Sequence, residues 1–239
     1  MNSNKKNDKE KYVYKMFQSI APKYDLMNKL MSFGLDSYWR RFVANKAELK
    51  SGDKVLDIGA GTGRLSLELA KSVGKGSVVC MDISENMLEK AAEDLKGQKY
   101  YDLLEFKVGN AMDIPFNNDE FEVITSAWLL RNVKDISTTL TEMKRVVKPG
   151  GKVISLDLGK PKSKLFKKIY DLYLYKFIPF LGRLVYGQKG PYDYLPESLK
   201  TYPAQDELAK IYEDVGFVNV RYHELTGGVI VVHMGEKPC

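Results

Sequence analysis

Three glycines at alternate positions, Gly59, Gly61 and Gly63, close the stretch KVLDIGAGTG, residues 54–63. The apolar run before them ends in an acid, Asp57. That pattern predicts a buried parallel strand turning sharply over Gly59 and Gly61 into a helix that starts near Gly63. Glycine lets a ligand lie directly on main chain. A dinucleotide fingerprint has its third glycine at position 64, where this chain has Arg64, and presents an open helix N-terminus to a pyrophosphate. Here the third glycine comes one residue early. Asp82 ends a second apolar run, SVVCMDI, where a carboxylate can accept from both hydroxyls of a ribose. Its alternative role, capping the next helix, is better filled by Ser84, although Met87 stands where a full capping box needs Glu. Arg131 and Asn132, in WLLRNV, come directly off the carboxyl end of a fourth apolar run, where open α/β sheets place their chemistry. Arg131 as a structural ion-pair residue is the alternative.

These residues must be held by a sheet. Strands are expected from Lys54 to Asp57, Ser77 to Ile83, Leu104 to Asn110, Phe121 to Ala127 and, after the Pro149-Gly150-Gly151 turn, Lys152 to Leu158. Helices are expected over 64–73, 85–95, 136–147 and 205–215. A hairpin of 218–225 with 229–233, turning on Gly227-Gly228, completes seven strands. The fold class is α/β: a doubly wound, mostly parallel, Rossmann-like sheet. Residues 1–11 are expected to be a disordered basic tail, 12–50 an N-terminal helical cap interrupted at Pro22, and 51–239 the main domain.

The glycine spacing resembles motif I of the class I methyltransferases, which bind S-adenosylmethionine. The resemblance implies that Asp57, Gly59, Gly61, Thr62, Gly63, Asp82 and Ile83 bind this cofactor. Asn110 and Ala111 would meet its adenine, with Asn110 as a simple turn former the alternative. The stretch Tyr24 to Trp39, through Tyr24, Asp25, Met27, Asn28, Ser32 and Trp39, resembles the first signature of the family that methylates ubiquinone and menaquinone precursors. RVVKPGGKVISLDLG, residues 145–159, resembles the second signature through Asp157, with Gly159 where Ser or Asn is usual. The carboxyl terminus is similar in Tyr194-Leu-Pro-Glu-Ser, Tyr202-Pro203, Gly216-Phe217, Thr226-Gly227-Gly228 and His233. Gly109-Asn110-Ala111-Met112 resembles the menaquinone branch. Three departures bear on the substrate: Asp36 stands where the family has His, and Trp128-Leu129 where it has Phe-Gly.

The resemblance implies C-methylation of a reduced polyprenyl quinone ring, demethylmenaquinol to menaquinol, without a metal. Arg131 would stabilise the phenolate, Tyr24 and Asn132 would orient the ring hydroxyl, and Asn28, Asp36, Trp128 and Asp157 would line the substrate site. Another phenolic or lipid acceptor, or a non-catalytic cofactor-binding membrane scaffold, are the alternatives.

Composition is globular, 44% hydrophobic and 28% charged, without an apolar run near the roughly 18 residues of a spanning helix. Net charge is +6, yet no nucleic-acid-reading motif accompanies it, so anionic lipid is the expected attraction. The polar start, MNSNKKNDKEK, lacks a signal-type apolar core, and the expected location is the cytoplasm, peripherally on the inner face of the membrane. Cys80 and Cys239 are expected as free thiols. Residues 162–190 carry seven aromatics from Phe166 to Tyr186 among Lys164, Lys167, Lys168, Lys176 and Arg183. Leu165, Ile169 and Leu172 or Tyr173 fall at helical spacing, which suits a lid, a bilayer boundary, or both. A homodimer is compatible with the chain.

Overall fold

The computed structural model describes the backbone of residues 3–186 and 191–239, and the side chains of all of these except 3–10, 164–165 and 191–193. Seven strands form one sheet: β1 (Lys54–Ile58), β2 (Ser77–Asp82), β3 (Leu104–Val108), β4 (Phe121–Ala127), β5 (Val147–Leu158), β6 (Val218–Leu225) and β7 (Ile230–Glu236). Their order is β3-β2-β1-β4-β5-β7-β6, with β7 antiparallel to both β5 and β6 and the rest parallel. Val55 to Ile58 and Val78 to Met81 are buried without a break, as strands covered on both faces must be. Alternation then sorts them: Leu56 and Ile58 enter the core of one face, Val55 that of the other.

The Pro149-Gly150-Gly151 stretch is not a turn before the fifth strand. It is an irregularity inside β5, where the pairing jumps from Phe121–Val147 to Val123–Lys152. The hairpin turns on Thr226–Gly228 as its glycines predict, and β7 runs on to Glu236.

Helices α4 (Arg64–Ala70), α5 (Glu85–Leu95), α6 (Ile136–Val146) and α10 (Gln205–Val215) pack on the sheet, as does α3 (Asp36–Ala47). Ser84 caps α5, accepting from the Met87 amide. Ahead of β1 lie α1 (Ser3–Ile20), α2 (Tyr24–Met31) and α3 (Asp36–Ala47); a 3-10 turn over Ala21–Lys23 accommodates Pro22. The stretch expected as a disordered tail is helical from Ser3, continuous with the amphipathic Val13-Met16-Phe17-Ile20 face that packs inward.

Between β5 and α10 run α7 (Lys164–Leu172), a π-helical turn (Tyr173–Phe177), α8 (Ile178–Tyr186) and α9 (Pro191–Thr201); residues 187–190 of the expected lid lie outside the described residues. The buried face is Tyr170, Leu174 and Ile178, one residue on from the face the sequence suggests. Ile169 and Leu172 stay exposed, while two lid tyrosines tie to the cap: Tyr173 donates its hydroxyl to the Met31 carbonyl, and Tyr186 donates to that of Ile20 at 3.1 Å.

Both histidines are structural. Burial pushes His233 down to about 4, against a Gln205 carbonyl 2.9 Å from Nε2, and burial also lowers His223. A histidine held neutral stabilises the fold above its unfolded value of 6.5, and that contribution is lost as pH falls towards 4. For His233 it amounts to about 3 kcal/mol. With two histidines in the chain, the ring-proton NMR titration should give two separable curves, one with its midpoint near 4.

Candidate active site

Gly59, Gly61 and Gly63 all adopt left-handed φ, +68°, +55° and +70°. A side chain at Gly63 would collide with Leu95, and one at Gly59 would press on Leu129. A Cβ at Gly61 would instead point at Tyr24, 3.9 Å away, across a cleft of about 770 Å³ that opens to solvent. Gly59 and Gly61 form its floor, with Asp82, Ile83, Asn110 and Ala111 on its walls. Asp82 accepts from the Gly61 amide through Oδ2 and from the Ser84 amide through Oδ1, both at 2.8 Å. Burial raises its pKa, against the pull of these amides. Two amides occupy two of the roughly four lone-pair directions of a carboxylate, leaving acceptor capacity facing the cleft. Asn110 lines the cleft while its Oδ1 accepts from the Met112 amide at 2.9 Å, so the turn-forming role is real.

Three expected cofactor residues do not line this cleft. Strand alternation turns Asp57 to the α4 face, where its carboxylate accepts from Ser66 at 2.6 Å and Thr125 at 2.9 Å. Burial raises its pKa to about 6, so the stability it gives below 3.8 disappears as pH rises through 6, opposite in sign to His233. Thr62 donates to Asp25 at 2.6 Å, and Arg64 donates to the same carboxylate at 2.7 Å. Together they bolt α2 to the glycine turn. Gly63 caps α4 and its role is steric.

A second cleft, about 1510 Å³ and mainly apolar, lies between α1, α2 and the lid helices. Tyr24, Phe17, Trp128 and Asn132 line both clefts, so the two meet there. Arg131, Asn28 and Asp36 line the second one. Arg131 donates to Asp157 at 2.6 Å, both side chains under 10% exposed. Burial alone would lower the guanidinium's pKa, but the charge of Asp157, with Tyr24 nearby, raises it. It is a permanent cation and cannot serve as a base. Asp157 does not line the cleft and acts on it through Arg131. Burial raises the Tyr24 hydroxyl, whose polar neighbour is Asn28 one turn along α2. Asn28 Nδ2 and Asn132 Oδ1, a donor and an acceptor on residues that line the cleft, are buried with no partner among the described residues.

Two of the departures from the family pattern, Asp36 and Trp128, are linked. Asp36 pairs with Arg40 at 2.5 Å, and the Arg40 guanidinium lies 5.1 Å from the ring centroid of Trp128, the left-handed residue (φ +58°) that follows β4. Sequence reasoning missed the α1 wall, notably Phe17, and the lid tyrosines Tyr170 and Tyr194. The helical spacing Val13-Met16-Phe17-Ile20 was the available signal for the wall.

Residues 5–237 match the model of the ubiE/COQ5 methyltransferase family. The chain belongs to the ubiE/COQ5 methyltransferase family. It is 46% identical over 232 residues to a demethylmenaquinone methyltransferase of Desulfitobacterium hafniense, covering 97% of this chain and 92% of that one. It is 41% identical to the ubiquinone/menaquinone biosynthesis C-methyltransferase UbiE of Francisella philomiragia, covering 96% and 92%. Among solved structures it resembles an S-adenosylmethionine-dependent methyltransferase from Aquifex aeolicus, with a TM-score of 0.65, 25% identity, and 89% and 97% coverage. As a ubiE/COQ5 family methyltransferase, the protein couples a Rossmann-like sheet to a helical cap whose α2 reaches both clefts.

Proposed function

We propose that the protein transfers a methyl group from S-adenosylmethionine to a ring carbon of a reduced polyprenyl quinone precursor, converting demethylmenaquinol to menaquinol. The junction of the two clefts carries this reading: a glycine floor with an acceptor carboxylate on one side, a buried cation in an apolar chamber on the other. The first cleft suits this cofactor. Asp82 offers acceptors to ribose hydroxyls, and the bare Gly61 leaves main chain in contact with the ligand. When bound, the cofactor supplies a methyl carbon on a sulfonium, which the ring carbon attacks in line.

The chain's own residues govern the acceptor. Arg131 favours ionisation of the ring hydroxyl, which puts electron density on the neighbouring carbon. Asn132 Oδ1 accepts from that hydroxyl, and Tyr24 with Asn28 orients it. Phe17 and Trp128 exclude water where the clefts meet, which strengthens these interactions. The hydroxyl proton passes to solvent as the ring ionises; after methylation the proton on the attacked carbon is lost as the aromatic ring re-forms and the ring oxygen takes a proton back, so one proton is released per methyl group transferred.

The polyprenyl tail would leave along the lid. Phe33, Phe180 and Leu184 are 74%, 63% and 71% exposed, and the lid segment that carries the last two also carries Lys167, Lys168, Lys176 and Arg183, a composition suited to an anionic membrane surface. Among the described residues no helix is long and apolar enough to cross a membrane. The test is methyl transfer to reduced and oxidised acceptors, long-tailed in anionic vesicles or short-tailed in solution. Only reduced acceptors should react, and Phe180→Glu with Leu184→Glu should slow transfer to the vesicle-borne acceptor alone. Transfer to the oxidised quinone, or equal slowing on both acceptors, would contradict the reading.

A further inference from the structure

Buried tyrosines fall into two groups here. Tyr212 donates to Ser155 at 2.8 Å, and Tyr173 and Tyr186 donate to carbonyls of the cap, so these hydroxyls hold the fold together. Tyr170, Tyr194 and Tyr202 have buried hydroxyls with no hydrogen-bond partner among the described residues. Packing does not explain them, because phenylalanine would fill the same space without desolvating a polar group. All three lie within electrostatic reach of the Arg131–Asp157 pair. Tyr170, 7% exposed, and Tyr194 line the second cleft, and neither lines the cofactor cleft. Tyr24 and Asn132, by contrast, stand where the clefts meet. Arg131 is in reach of both sets.

A quinol carries two oxygens at opposite ends of one ring, and the groups at the junction reach one of them. We infer that Tyr170 and Tyr194 form a second polar subsite that binds the distal ring oxygen, so that the acceptor ring is held at both ends and its rotation is fixed. This rests on the proposed quinol substrate. Both tyrosines are positioning residues: neither touches the transferred methyl group. They sit on α7 and α9, either side of the lid's apolar wall of Leu174 and Ile178, so ring binding also ties the lid down.

The experiment compares two short-tailed acceptors, a prenylated 1,4-naphthohydroquinone and the naphthol that lacks the distal hydroxyl. Tyr170→Phe and Tyr194→Phe are each expected to raise KM for the diol about tenfold, the worth of one hydrogen bond, and to leave KM for the monophenol unchanged. S-adenosylhomocysteine binding should not move. The melting temperature of the ligand-free variants should stay level or rise, since an unpartnered hydroxyl has been removed. Equal KM changes on both acceptors, or lower melting with unchanged KM, would show fold-supporting hydroxyls and overturn the subsite. A parent protein inactive on both acceptors would overturn the quinol reading, and the subsite with it.

Discussion

Arg131→Met should lower methyl transfer about 10²- to 10³-fold, as loss of a preorganised donor to a developing oxyanion does. It should also destabilise the protein by about 3–5 kcal/mol, because Asp157, 3% exposed, is left as a buried charge without its counter-ion. The two losses can be separated. Arg131→Met combined with Asp157→Leu replaces the ion pair by apolar groups of similar volume, which restores most of the stability. Turnover should stay low and cofactor binding near normal. If the double variant regains activity, the guanidinium supports the fold and does not act on the acceptor.

The second large effect belongs to Asp82. Asp82→Ala deletes the acceptor for the Gly61 and Ser84 amides as well as the one offered to the ligand. The two charge-assisted hydrogen bonds proposed from the ribose hydroxyls, about 1.5 kcal/mol each, correspond to a loss of about 10²-fold in cofactor affinity. Asp82→Asn keeps the shape and one acceptor oxygen, and should lose about tenfold. Calorimetry with S-adenosylhomocysteine measures both. Unchanged affinity in the alanine variant would remove Asp82 from the cofactor site.

Much of the fold was legible because it is written in short-range patterns. Unbroken apolar runs marked the strands, and Gly59, Gly61 and Gly63 marked a turn that needs three left-handed residues. Asp82, Asn110, Arg131 and Asn132 could be picked out because each follows the end of a strand, the edge where the sheet opens. What stayed hidden depends on where side chains point. Asp57 belongs to the glycine motif, yet pleating turns it to the α4 face, where it braces Ser66 and Thr125. Thr62 is turned to Asp25, 37 residues away, and so belongs to the cap-to-turn joint. The Arg131–Asp157 pair joins the ends of two neighbouring strands, and the wall made by Phe17 and Tyr170 unites a segment before the sheet with one after β5. Such meetings follow from the assembled topology and leave no local periodicity behind. The lid's greasy stripe is broad for a related reason: Tyr170, Leu174 and Ile178 are buried, Ile169 and Tyr173 of the expected face line the second cleft, and Leu172 is exposed.

The departures at Asp36 and Trp128 make sense only together. Either alone reads as a lost family residue, but Arg40 pairs with the first and lies over the ring of the second, linking two residues that line the acceptor chamber.

The central claim is tested most directly by the fate of the methyl carbon. With S-adenosylmethionine carbon-13-labelled in its methyl group and a short-tailed demethylmenaquinol kept reduced, NMR of the product should show the label as an aryl methyl on the ring carbon beside a hydroxyl. A label found as a methoxy group, or no transfer to the quinol at all, would contradict the account.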